Sequence, residues 1–143
     1  AGYAEGSIHV GIMKRLDESG LNMQAILIAG RNDRLRERLE AMPARLKKHV
    51  VGFTSEVPSY MLMSDFFIGK PGPGSLSEAI HLGLPVITVS NAWTLPQERY
   101  NAEWLTGNGL GMVLDSFEGI DGAVSKMLAG TTLAGMRARA ARP

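Results

Sequence analysis

The chain contains no cysteine, which excludes a disulfide framework, thiolate catalysis and cysteine metal ligation, and leaves the compartment open. No apolar run approaches the ~20 residues that a membrane-spanning helix requires, and the first residues carry neither the basic nor the apolar segment of an export signal. Neither sign of charge is in excess: 15 Lys and Arg face 14 Asp and Glu, for a formal net charge of +1 at pH 7. That balance gives no general pull on a polynucleotide, so no nucleic-acid partner is expected and any anion must be bound locally. Of the three histidines, His9 and His49 are isolated and His81 is expected one turn beyond Ser77 on a helix, in a surface or boundary role. No HxxxH or paired-carboxylate spacing occurs, so no metal is expected. Cytoplasm is the default compartment.

What is present is one core's worth of apolar residues. At 143 residues and 45% hydrophobic content, a single domain over 1–143 is expected. The opening "AGYAEGSIHV" has no initiator Met and no strand before the first helical pattern, so the chain reads as a piece of a longer protein. Ile8, Ile12, Met13 and Leu16 recur at helical spacing and Gly20 follows as a stop. "QAILIAG" is a continuous apolar run, the pattern of a strand covered on both faces. "RNDRLRERLEAM" then predicts a helix on Leu35, Leu39 and Met42, with most of the basic stretch from Arg31 to Lys48 on a solvated face.

The alternation continues: "HVVGF" as strand, "EVPSYMLMS" as short helix, "DFFIG" as strand, "GSLSEAIHLG" as helix and "LPVITVS" as strand. "LPQERYNAEWLTG" and "GMVLD" make the next helix and strand, and a last helical stretch from Phe117 to Ala129 runs into an Ala/Arg-rich tail. Met61, Met63, Phe66, Phe67 and Trp104 are expected in packing roles. Strands alternating with helices predict an α/β fold: a doubly wound, Rossmann-like parallel sheet with helices on both faces. Ligands of such folds sit beyond the carboxyl ends of the strands.

The most loaded strand-to-helix turn is "GKPGPGSLSEA", Gly69 to Ala79. Gly72 and Gly74 leave room for close approach of a ligand, while Pro71 and Pro73 stiffen the turn. It feeds a helix expected to begin near Ser75, whose first N–H groups and dipole suit a diphosphate. Lys70 adds a positive charge, and Ser75 and Ser77 add hydroxyl donors. Ser75 to Glu78 also fits a capping box, which would make Glu78 structural. After the next strand, Gln97, Glu98 and Asn101 share the opening turns of a helix starting after Pro96. Amides and carboxylates there suit a ligand with many hydroxyls, and the two sites together suggest a nucleotide sugar.

"GKPGPGSLSEAIHLGLPVI" followed by "LPQERYNAEWL" resembles the C-terminal donor-binding domain of GT-B glycosyltransferases of the monogalactosyldiacylglycerol synthase and peptidoglycan N-acetylglucosaminyltransferase type, the family 28 C-terminal domain. "GRN" after the first strand, "GF" at the end of the second and the terminal "AARP" fit the same pattern. The resemblance covers nearly the whole chain. It implies a UDP-sugar donor with no further cofactor, the diphosphate on Gly72, Gly74 and Ser75, and the ribose on Glu78. It puts the donor sugar on Gln97 and Glu98, and the uracil against Phe53 with the Gly30-Arg31-Asn32 turn lining the pocket.

The strand and glycine-rich loop that open the family's domain have only "GYAEGS" to match them, which leaves Gly6 and Ser7 as candidate phosphate ligands. The acceptor site and general base belong to an N-terminal half, so no catalytic residue is expected here and this chain alone is expected to be inactive. That half would also carry any peripheral membrane contact. The implied reaction is inverting transfer of a hexosyl group to an acceptor hydroxyl, a lipid being favoured. Two alternatives stay open: a separately encoded donor subunit completed by a membrane-bound partner, and half of a UDP-sugar 2-epimerase.

Overall fold

The structure is a computed structural model that describes residues 2–69, 73–90, 94, 96–130 and 132–140, with side chains described for 9–69, 76–90, 94, 96–130 and 132–139. Its element order alternates as the sequence predicts, and all strand pairings are parallel. The chain has an α/β, Rossmann-like fold. The expected single sheet is, among the described residues, two: β1-β2 and β3-β4-β5. Periodicity specifies strands but not which edges pair. The chain divides accordingly into compact units Ala1–Val57 and Pro58–Pro143.

In the first unit, α1 (Gly2–Glu18) buries Met13 and Leu16 and stops before Gly20, whose φ of 71° suits a residue without a Cβ. β1 (Gln24–Gly30) pairs with β2 (Lys47–Gly52) from Gln24↔Lys47 to Gly30↔Gly52. Only Ala29 of β1 is buried, so the run is half covered rather than covered on both faces. A strand with a partner on one edge gains less cover than a central one. α2 (Asp33–Ala41) is capped by Asn32, whose Oδ1 accepts the Leu35 N–H at 3.0 Å. Leu35 and Leu39 pack on Ala29, with Val10, Leu27, Met42 and Val50 at the margin.

Two cations of the presumed solvated stretch have structural work instead. The Lys48 ammonium donates to the carbonyls of Leu39, Glu40 and Met42, closing the C-terminal end of α2. The Arg36 guanidinium lies against Gly52, where an added Cβ would come within 3.1 Å of Nη1.

The second unit follows α3 (Val57–Leu62) with β3 (Phe67–Ile68), α4 (Pro73–His81), β4 (Val86–Val89), α5 (Pro96–Gly107) and β5 (Gly111–Leu114). β4 is central, and Val86, Ile87 and Thr88 are wholly buried. Burial of an Ile87-sized side chain contributes about 1.5–3 kcal/mol. Gly111 pairs with Val86, and a Cβ there would clash with the Val86 carbonyl oxygen and fall 2.7 Å from Leu105 Cδ2. Only glycine lets β5 start so close to β4 and α5.

A 3-10 turn (Phe117–Gly119) leads into α6 (Ile120–Leu128), which buries Ile120, Ala123, Val124 and Met127. The Ala/Arg-rich segment is helical over its described residues. It forms α7 (Thr132–Ala140), held by buried Met136, by an Arg139 Nε bond to the Gly109 carbonyl at 2.8 Å and by Arg137 beside Asp65 at 3.5 Å.

Four packing expectations are also corrected. Met61 is buried, but Met63 is 68% and Trp104 42% exposed, and Phe66 and Phe67 are only half-buried. α3 is a six-residue helix beside a two-residue strand, too short to cover all four side chains around it. α5 buries Ala102 and Leu105, which leaves Trp104 turned outward.

Candidate functional site

In the second unit, parallel pairing fixes the direction of every strand, so α4 and α5 both begin beyond the carboxyl ends of their strands. α4 begins at Pro73, two residues before the expected start. Proline is pre-set for the first helical position, where no N–H is needed. Ser75 is therefore the third helical residue and not at the cap position that a capping box from Ser75 to Glu78 requires. Gly74 and Ser75 lie in the first turn, where helix geometry leaves N–H groups without intrahelical acceptors. Glu78 is half-buried one turn further on. Lys70 and Gly72 lie outside the described residues.

α5 starts at Pro96 itself, with Gln97 exposed and Glu98 half-buried in its first turn. Asn101 is half-buried and lines a groove of about 490 Å³ between α4 and α5, together with Leu76, Ser77, Ile80, His81, Tyr100 and Trp104. The sequence marked Asn101 and Ser77 as polar candidates but not the groove they share with the residues around them. Nor did it single out Thr88, whose Oγ1 is buried without a hydrogen-bond partner on the central strand.

In the first unit, Gly30 takes a φ of 60°, and the Asn32 N–H bonds to the Ala29 carbonyl at 3.2 Å, which forms the "GRN" turn. Phe53 follows the last residue of β2 and is 66% exposed. The Arg31 guanidinium stands over its ring, 4.1 Å from the centroid. The side chains of Gly6 and Ser7 are outside those described. Among the described residues, no group of three or more His, Asp or Glu could hold a metal ion, and no helix is long and apolar enough to cross a membrane.

A parallel α/β unit with bare helix starts at its strand ends is common to many folds, and the comparisons decide among them. A family model for the glycosyltransferase family 28 C-terminal domain matches residues 10–137. The chain belongs to that family. This family 28 domain is 34% identical over 103 residues to the chloroplastic monogalactosyldiacylglycerol synthase of Spinacia oleracea, covering 72% of the chain and 19% of the relative. It is 30% identical over 128 residues to the processive diacylglycerol beta-glucosyltransferase of Bacillus subtilis (strain 168), covering 83% of the chain and 33% of the relative. The family 28 domain thus spans only a fifth to a third of the length of these relatives. Among solved structures, the glycotransferase of kitacinnamycin superposes with a TM-score of 0.54 at 15% identity, covering 83% of the chain and 39% of that structure. That likeness bears on the fold, which it places with a glycosyltransferase.

Proposed function

We propose that this domain binds a UDP-sugar and serves as the donor half of an inverting glycosyltransferase. The observation that carries the reading is the start of α4 at Pro73, which brings Gly74 and Ser75 into the first turn at a strand's carboxyl end. Their N–H groups and the positive end of the helix dipole suit a diphosphate, and the sequence offers Gly72 and Lys70 as further phosphate contacts. Glu78, one turn on, takes the ribose hydroxyls. Gln97 and Glu98, opening α5 at the same edge of the sheet, take the donor sugar, with Asn101 behind them. In the first unit, Phe53 and the turn at Arg31 take the uracil.

Catalysis needs an acceptor-binding half in addition. An acceptor hydroxyl attacks the anomeric carbon opposite the diphosphate, the new C–O bond forms as the bond to UDP breaks, and a general base of that half takes the hydroxyl proton. Fixed amides at the helix start stabilise the charge that develops on the leaving diphosphate. The names of the spinach and Bacillus relatives favour diacylglycerol as acceptor and a hexose as the transferred group. Such an enzyme works at a membrane surface from the cytoplasmic side, touching it through the acceptor half.

Calorimetric titration with UDP, UMP, ADP and GDP tests the reading. UDP is expected to bind tightest, UMP more weakly for want of the second phosphate, and ADP and GDP more weakly for the wrong base. Equal affinity for all four, or none for any, overturns it.

A further inference from the structure

We propose that Arg31 is a positioning residue that holds the Phe53 ring as a preformed stacking platform for the nucleobase. This rests on the nucleotide-binding reading above and adds the device that makes the base subsite rigid. Phe53 lies just past the end of β2 and is 66% exposed. A ring so exposed has little apolar packing to fix it, and ordering it on binding would cost affinity. The Arg31 guanidinium, 4.1 Å from the ring centroid, supplies the missing constraint. A planar, weakly hydrated guanidinium stacks well on an aromatic face.

The surroundings fit the same purpose. Gly30, at a φ of 60°, turns the chain immediately before Arg31. The Arg36 guanidinium packs against Gly52, the residue before Phe53, where a Cβ would stand 3.1 Å from Nη1. Arg36 Nε is buried with no hydrogen-bond partner. Two guanidinium groups therefore lie against the Gly52–Phe53 pair, Arg36 at Gly52 and Arg31 at the Phe53 ring. Among the described residues neither forms a salt bridge that would draw it away. Phe53 stays 66% exposed with the cation in place, and base–aromatic stacking on such a ring tolerates any base. Selection of uracil then falls to hydrogen bonds at its edge.

The test is a double-mutant cycle read by titration with uridine and with UDP, on the unaltered protein, Arg31→Ala, Arg31→Lys, Phe53→Ala and the Arg31→Ala/Phe53→Ala pair. Arg31→Ala is expected to weaken uridine and UDP by the same factor, about 3- to 10-fold. Arg31→Lys should recover part of the loss, and in the Phe53→Ala background removal of Arg31 should cost nothing further. A loss confined to UDP would show Arg31 acting on phosphate directly, and one fully additive with Phe53→Ala would show it acting independently of the ring; either would overturn the proposal while leaving the nucleotide reading intact. Failure of the unaltered protein to bind either ligand overturns both.

Discussion

Asp17, in the last turn of α1, accepts the backbone N–H groups of Arg45 at 2.6 Å and Leu46 at 3.0 Å on a single carboxylate oxygen. The two donors lead into β2, so one side chain fastens a helix end to a strand entrance far along the chain. Charge-assisted bonds of this sort favour the ionised form. The Leu46 and Arg45 N–H groups, with the nearby Arg45 and Lys48 charges, hold the Asp17 carboxyl below its ordinary value of 3.8.

That lowering fixes the sign of a pH effect. A folded-state value below the unfolded one contributes stability that is whole above the unfolded value and is lost as pH falls through the folded one. Asp17→Asn is expected to be less stable than the parent at neutral pH, and the difference should shrink as the pH drops below about 3.8. Urea unfolding followed across that range checks it; a difference independent of pH would mean that the carboxylate charge is not what matters.

Gly111→Ala should be among the most damaging single changes in the second unit. The new methyl would meet the Val86 carbonyl oxygen, a backbone atom that cannot swing aside, and Leu105 in the core. Overpacking of this severity costs about 2 kcal/mol or more. Thermal melting should show a drop of many degrees, whereas Gly122→Ala, with open space around it, should melt close to the parent.

Thr88→Val should do the opposite. The Thr88 hydroxyl is buried and unpartnered, and valine keeps its shape without the polar atom. Removing an unsatisfied buried group is expected to leave stability unchanged or raise it by about 1 kcal/mol. Denaturant midpoints decide; a clear loss would mean that the hydroxyl has a partner in solution.

Glu78→Ala separates binding from folding. With Ser75 inside α4 rather than capping it, Glu78 has no capping-box role to lose. UDP affinity is expected to fall about tenfold, some 1.4 kcal/mol, with little change in melting temperature. A loss of stability with unchanged affinity would return Glu78 to a purely structural role.

The order and type of the elements were legible because each strand is a short apolar run and each helix repeats apolar positions with the helical period. "QAILIAG" coincides with β1 residue for residue. Where reading failed, the deciding contact was not local. α7 carries too few apolar positions to declare itself, and what holds it is Arg139 reaching Gly109 and Arg137 reaching Asp65. Strand pairing depends on edges that periodicity does not describe. In the candidate site, the glycines and prolines of the turn marked Gly74 and Ser75, yet proline's fit to the first helical position moved the helix start and took Ser75 off the cap position. The resemblance already put Arg31 and Phe53 at one pocket; their stacking on each other across separate strand ends could be seen only in three dimensions.

The central claim is a location, and the most direct measurement is the position of UDP in a crystal of the complex. The expected result is diphosphate oxygens at about 2.7–3.2 Å from the N–H groups of Gly74 and Ser75, with the ribose hydroxyls on Glu78. Diphosphate density at any other place in the protein, or none at saturating nucleotide, would contradict it.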